Sequence, residues 1–316
     1  MEKKKLRIVF LGTPEFAVES LDRIHSAGYD IAAVVTMPDK PAGRGHKLLQ
    51  SPVKQWAVAH DIKVLQPARL KDPAFVDELW SLNANLFVVI AFRMLPEIVW
   101  QMPELGTFNL HASLLPRYRG AAPINHAVMN GDTKTGVTTF FLKHEIDTGD
   151  IIAQRSIDIA PDEDAGSVHD RLMLLGADLT LETLQSIVDG TLRTISQDEL
   201  LTAGEEPTPA PKIFRETCEI DWNRTAAEIQ NHVRGLAPYP AAWTRLTLPG
   251  QTDAIEMKVL KVKTSDNSQL APGEVTVGNG KLTVGCSGKT AIEILELKAE
   301  GKRAMPAADF LRGLHL

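Results

Sequence analysis

The sequence predicts a doubly wound, Rossmann-like α/β domain with a parallel sheet, followed by a smaller C-terminal β-barrel of OB-like type. Three observations carry this. First, the apolar run Leu6–Leu11 is followed by an amphipathic stretch and a second apolar run, Ile31–Val35, which is the pattern of a β-α-β unit. Second, Leu86-Phe87-Val88-Val89-Ile90-Ala91-Phe92 is apolar without alternation, as a strand buried on both faces requires. Third, the rhythm breaks at Pro207-Thr208-Pro209-Ala210-Pro211, a proline-rich run that reads as a stiff linker.

The elements follow in order. Phe16, Val18, Leu21 and Ile24 recur at near-helical spacing up to Gly28, a stop signal for the first helix. Residues Val53–His60, Pro73–Leu82 and Ser167–Val188 have helical patterns, and Thr107–His111 and Val137–Leu142 read as strands. Beyond the linker, a helix near Thr225–Arg234 precedes short runs at Ala242–Leu248, Ile255–Val262, Gly273–Val277, Leu282–Cys286 and Ile292–Leu297. Short strands separated by glycine suit a small barrel or sandwich. The expected division is 1–190, a linker 191–211, and 212–316.

Composition narrows the classes of function. Apolar residues make up 44% and charged residues 23% of 316, ordinary for a globular protein of about two domains. The net charge of −6 argues against a generic nucleic-acid binder. Its distribution is uneven: residues 210–316 carry 14 Lys and Arg against 12 Asp and Glu, and residues 1–209 carry 20 against 28. A nucleic-acid-facing C-terminal part is compatible with that balance. Cys218 and Cys286 are the two cysteines, too few for a disulfide framework or a paired-cysteine zinc site, so two buried reduced thiols are expected. The start, with Lys3-Lys4-Lys5 before a short apolar run broken by Arg7, falls short of a signal peptide. No segment reaches the length of a membrane span, so a cytoplasmic protein without a membrane partner is expected.

The first strand-turn-helix contains Gly12-Thr13-Pro14, with one glycine where a dinucleotide fingerprint places three, and a nicotinamide cofactor is therefore not expected. The informative segment is Phe108–Pro123. Asn109 and His111 are two apart on a predicted strand and share a face, at the carboxyl end where α/β sites form. An amide donor beside an imidazole suits acyl transfer: Asn109 can stabilise a developing oxyanion and His111 can move a proton. After the next strand comes Lys143-His144-Glu145-Ile146-Asp147-Thr148-Gly149-Asp150. Asp147 can reach the same crevice and hold and charge His111, while Gly149 permits the tight turn that aims it inward. His144 and Glu145 lack further partners at ligand spacing, so no metal is expected.

The ordered elements Asn-x-His, Ser-Leu-Leu-Pro-x-Tyr-Arg-Gly and Asp-Thr-Gly-Asp between Asn109 and Asp150 resemble the signature of the folate-dependent formyltransferase family. The resemblance implies 10-formyltetrahydrofolate as formyl donor and no metal. It implies a catalytic set of Asn109, His111 and Asp147, with Ser113, Leu114, Leu115 and Pro116 against the folate. Two further features resemble the branch that formylates the methionine carried by initiator tRNA for translation initiation. One is the insertion Met37–Leu48, similar to an acceptor-stem loop, with Lys40, Arg44 and Lys47 as implied tRNA contacts. The other is Ala210-Pro211-Lys212-Ile213 with Ile220-Asp221-Trp222, similar to the entry of that branch's C-terminal domain, which adds Lys212. Phe16 is implied at the methionine side chain, and a monomer is expected. The chain departs from the family pattern at Arg93, where glycine is common, and at Pro209, where an aromatic residue is common.

Overall fold

The computed structural model describes residues 5–42, 47–201, 204 and 206–314. Two compact units emerge, each built from separate stretches of sequence. The first takes Met1–Gly120, Gly136–Ile157 and His169–Pro209; the second takes Ala121–Thr135, Asp158–Val168 and Ala210–Leu316.

The chain begins β1 (Arg7–Gly12), α1 (Glu15–Ser26), β2 (Asp30–Val35), with β1 and β2 parallel. A hairpin follows, β3 (Lys40–Ala42) against β4 (Lys47–Leu49). Then come α2 (Pro52–Ala59), β5 (Val64–Leu65), α3 (Pro73–Ser81), β6 (Leu86–Ile90), α4 (Glu97–Trp100) and β7 (Thr107–His111). Helices α2 and α3 start for a chemical reason: the Ser51 hydroxyl accepts from Lys54 N, the Asp72 carboxylate accepts from Ala74 N, and each helix has proline in its first turn. Strand β6 stops two residues before Phe92 because Ala91 turns into the left-handed region at φ 47°.

Next are β8 (Arg119–Gly120), α5 (Pro123–Met129), β9 (Lys134–Phe141), β10 (Ile151–Asp158) and α6 (Ala165–Asp189). The seven-stranded sheet runs β10-β9-β7-β6-β1-β2-β5. Strands β5, β2, β1, β6 and β7 are mutually parallel, but β9 lies antiparallel to β7. The sheet is thus parallel at its centre with an antiparallel margin, an arrangement common in α/β folds. Strand β10 escapes the sequence pattern because its edge position exposes Arg155 and Ser156, which blurs hydrophobic periodicity. The apolar faces of β1 and β6, with Val9, Leu11, Phe87 and Val89, meet Phe75, Leu79 and Val99 in one core.

The polar stretch after α6 stays with the first unit. Ile195 bridges to Ile151, and Gln197, only 2% exposed, sits in a short 3-10 turn whose Ser196 and Glu199 form a reciprocal cap.

At the exit from the first unit lies β11 (Pro209–Ala210), and the second unit continues with α7 (Ala226–Leu236), β12 (Ala242–Leu246), β13 (Ile255–Ser265), β14 (Val275–Gly278), β15 (Lys281–Cys286), β16 (Thr290–Ala299), β17 (Met305–Pro306) and α8 (Ala307–Arg312). The strands form an antiparallel sheet ordered β12-β13-β16-β15-β14, with β17 added to β16. Ile229, Val233, Leu236, Val259, Ile294, Leu297 and Phe310 fill the core between sheet and helices. Helix α5 belongs here too. Its Asn125 amide donates to Gly235 O at 2.8 Å. A Cβ on Gly235 would stand 2.3 Å from Met129 Cγ, so α5 and α7 touch only because residue 235 is glycine. Arg234 is buried, donates to Glu163 O at 3.0 Å, and has its guanidinium pKa pulled down by burial. Cys218 and Cys286 are buried free thiols, and burial pushes the Cys286 thiol up to about 11. Among the described residues no helix is long and apolar enough to cross a membrane.

Candidate active site

The parallel strands deliver their carboxyl ends to one edge of the sheet, and β7 places Asn109 and His111 there. Period-two alternation puts both on the same face, while Phe108 and Leu110 point into the core at 0% and 3% exposure. His111 is buried against the edge of the Phe140 ring, centroids 6.5 Å apart. Its Nε2 lies 2.8 Å from the Tyr118 carbonyl oxygen. A carbonyl can only accept, so Nε2 carries hydrogen. Nδ1, the remaining ring nitrogen, faces Asp147 Oδ2 at 3.8 Å.

Asp147 is held from three directions. Its Oδ2 accepts from Gly120 N at 2.9 Å. Its own carbonyl accepts from Gln197 Nε2 at 2.8 Å. Its backbone has φ 53°, a left-handed conformation that aspartate tolerates better than most residues. The expected reason for glycine at 149 therefore changes. The turn's positive φ falls on Asp147, and Gly149 is required by proximity: a Cβ there would lie 1.6 Å from Phe141 O.

The Ser113–Pro116 loop is braced from beneath. Thr138 Oγ1 donates to Ser113 O at 2.6 Å and accepts from Leu115 N at 3.2 Å. Gln154 Nε2 donates to Leu115 O and to Thr138 Oγ1, both at 2.8 Å. Ser113 Oγ donates to Arg117 O at 2.6 Å. Leu115 is a core residue with Phe140 and Ile151, and Leu114 packs on Gly136. Packing thus accounts for two leucines in a loop. One side of the loop borders a hollow of about 300 Å³, walled by Leu114, Pro116, Gln154, Leu200 and Thr208.

The remaining sequence candidates lie on other elements. Phe16 is buried, its ring 5.1 Å from that of His169. Lys40 is exposed on β3, at the foot of the hairpin. There Asp39 accepts from Lys54 Nζ at 2.6 Å and Gln66 Nε2 at 2.7 Å, which holds its carboxyl below the usual range. The backbone of Lys47 belongs to β4, and Arg44 lies outside the described residues. Lys212 is exposed in the second unit, its Nζ 5.5 Å from the Phe214 ring centroid. Arg93, one of the departures, has a structural occupation: its guanidinium donates to the carbonyls of Pro67 and Ala68, pinning the loop after β5 to the loop after β6. Among the described residues no three His, Cys, Asp or Glu converge as metal ligands.

Sequence reasoning missed Thr138, Gln154 and Gln197. Thr138 had a signal, a hydroxyl pair Thr138-Thr139 inside the otherwise apolar run Val137–Leu142. Gln197 had none, since its partners are 48 to 78 residues away.

A model described as "Formyl transferase" matches residues 6–184, and one described as "Formyl transferase, C-terminal domain" matches residues 212–315. Solved structures agree at the level of fold. The sugar 3N-formyl transferase WlaRD superposes with a TM-score of 0.66 at 19% identity, covering 94% of this chain and 99% of that one. HypX from Aquifex aeolicus, solved with tetrahydrofolic acid, gives 0.64 at 18%, covering 96% of this chain and 46% of that one. The two family matches make the chain a formyl transferase. The methionyl-tRNA formyltransferase of Bacteroides fragilis is 52% identical over 318 residues, 100% of this chain and 97% of that protein. That of Flavobacterium johnsoniae is 47% identical over 98% and 97%. The chain belongs to the methionyl-tRNA formyltransferase family.

Proposed function

We propose that the protein transfers the formyl group of 10-formyltetrahydrofolate to the α-amino group of methionine esterified to initiator tRNA. The observation that carries this is the Asn109, His111 and Asp147 cluster at the carboxyl end of β7, within a chain that matches both formyl transferase domains. The amine attacks the formyl carbon, a C–N bond forms, and the carbonyl oxygen becomes an oxyanion. Collapse breaks the bond to the folate nitrogen, which gains a proton as the amine loses one. Asn109 is half-buried and its amide makes no hydrogen bond to the described residues, so it is free to donate to that oxyanion. His111, with hydrogen on Nε2, has Nδ1 available for the amine's proton. Asp147 lies where the resulting imidazolium charge forms. The braced Ser113–Pro116 loop is the folate wall, and Lys40, Arg44, Lys47 and Lys212 are the cationic tRNA contacts, with Phe16 at the methionine end. The enzyme works as a cytoplasmic monomer.

The test uses the purified full chain with 10-formyltetrahydrofolate and three amine acceptors: methionyl initiator tRNA, an amino-sugar nucleotide and glycinamide ribonucleotide. Formyl-methionine on the tRNA is the expected product. Formylation of either small acceptor with none on the tRNA overturns the assignment.

A further inference from the structure

We propose that Gln197 is a positioning residue for the transfer, acting on the reaction through Asp147. This rests on the reading of Asp147 as the partner of His111. Gln197 comes from the polar stretch after α6, far in sequence from the motifs, yet it is 2% exposed and uses both ends of its amide. Nε2 donates to Asp147 O at 2.8 Å and to Gly149 O at 2.9 Å. Oε1 accepts from Arg119 Nε at 3.0 Å and Nη2 at 2.8 Å. One side chain thus ties the Asp147 turn to Arg119, in the middle of the Tyr118–Gly120 segment. That segment supplies the two other restraints on the pair: Tyr118 O on His111 and Gly120 N on the Asp147 carboxylate.

The physical case is that the Asp147 turn does not hold itself. A left-handed aspartate is a minority conformation that persists where the surroundings over-determine it. The 3.8 Å separation between His111 Nδ1 and Asp147 Oδ2 leaves no direct hydrogen bond to enforce the geometry. The Gly120 amide fixes the carboxylate, and Gln197 fixes the backbone that carries it. Buried amides of this kind hold an electrostatic partner at its working distance, and displacement by about 1 Å lowers turnover by up to about 100-fold. A glutamate at 197 would keep an acceptor for Arg119 but present no donor to the two carbonyls.

The experiment compares Gln197→Glu and Gln197→Met, each alone and combined with Asp147→Ala, by steady-state kinetics in both substrates with melting curves alongside. Expected is a fall in kcat of roughly 10- to 100-fold for both single variants, with KM for formylfolate and for tRNA within about twofold. In the Asp147→Ala background neither change should lower kcat further, because the group through which Gln197 acts is gone. A purely architectural glutamine would slow the enzyme equally in both backgrounds, and that additive result overturns the proposal. Wild-type kcat in folded Gln197→Glu or Gln197→Met also overturns it. Wild-type kcat in Asp147→Ala alone is a different failure: it removes Asp147 from the mechanism, and with it the premise.

Discussion

The strand-end cluster of the first unit and the outer face of the second unit's sheet handle charge in opposite ways. At the cluster, His111 and Asp147 are short side chains, nearly buried, and fixed by main-chain groups of Tyr118 and Gly120, with the Gln197 amide on the Asp147 carbonyl. On the sheet face, Arg215 and Arg245 are long, well exposed and pooled around one carboxylate, Glu256, at 2.6 and 3.0 Å. Both guanidinium groups also lie over the Trp243 ring, 4.9 and 5.9 Å from its centroid. Backbone restraint gives a fixed direction, which chemistry on a developing charge needs. Pooled, solvated cations give long-range attraction with little directional demand, which suits a polyanion and is screened by salt. The first region should therefore be sensitive to displacements of one atom and the second to ionic strength.

The contrast breaks most sharply at the cluster. Asp147→Ala is expected to lower kcat by ~10²–10⁴ while a filter-binding assay shows unchanged tRNA affinity; an equal loss of both would erase the distinction. Gly149→Ala comes next, because its methyl group would collide with Phe141 O. Urea unfolding should show a loss of at least ~2 kcal/mol, the scale of overpacking in a tight site. On the other side, Lys212→Ala should leave kcat unchanged and reduce the slope of log affinity against log salt by about 1, as loss of one phosphate contact requires. An unchanged slope places Lys212 outside the tRNA path.

The smallest effect concerns the foot of the hairpin, where hydrogen bonds from Lys54 and Gln66 hold Asp39 below its ordinary value of 3.8. A carboxyl depressed by folding adds stability that is fully present above the unfolded value and is lost as pH falls through the folded one. The melting temperature of wild type should exceed that of Asp39→Asn at neutral pH, and the gap should close below pH 3.8. A pH-independent gap would mean that the charge on Asp39 contributes nothing.

Much of this was legible in the sequence because it is local. The runs that became β1 and β6 announce themselves by continuous apolarity, and in β7 Asn109 and His111 share a face by simple alternation. The restraints on them were not legible. Tyr118 O and Gly120 N are backbone groups without a residue-type signature. Gln197 meets Asp147 across 50 positions. The antiparallel turn of the sheet at β9 likewise depends on a pairing choice that a strand's own pattern does not encode. The assignment of α5 to the second unit depends on a contact between glycine and methionine, two residues that carry no packing code of their own.

That last contact bears on how the protein is made. Asn125 and Gly235 are 110 residues apart, so during synthesis the helix around Asn125 leaves the ribosome well before the one that will cover it. At roughly 5–20 residues per second, the interval is on the order of 5–20 s. All segments of the first unit precede Ala210 and can assemble within it. The helix around Asn125 spends that interval with its apolar side uncovered, until the segment carrying Gly235 has been made.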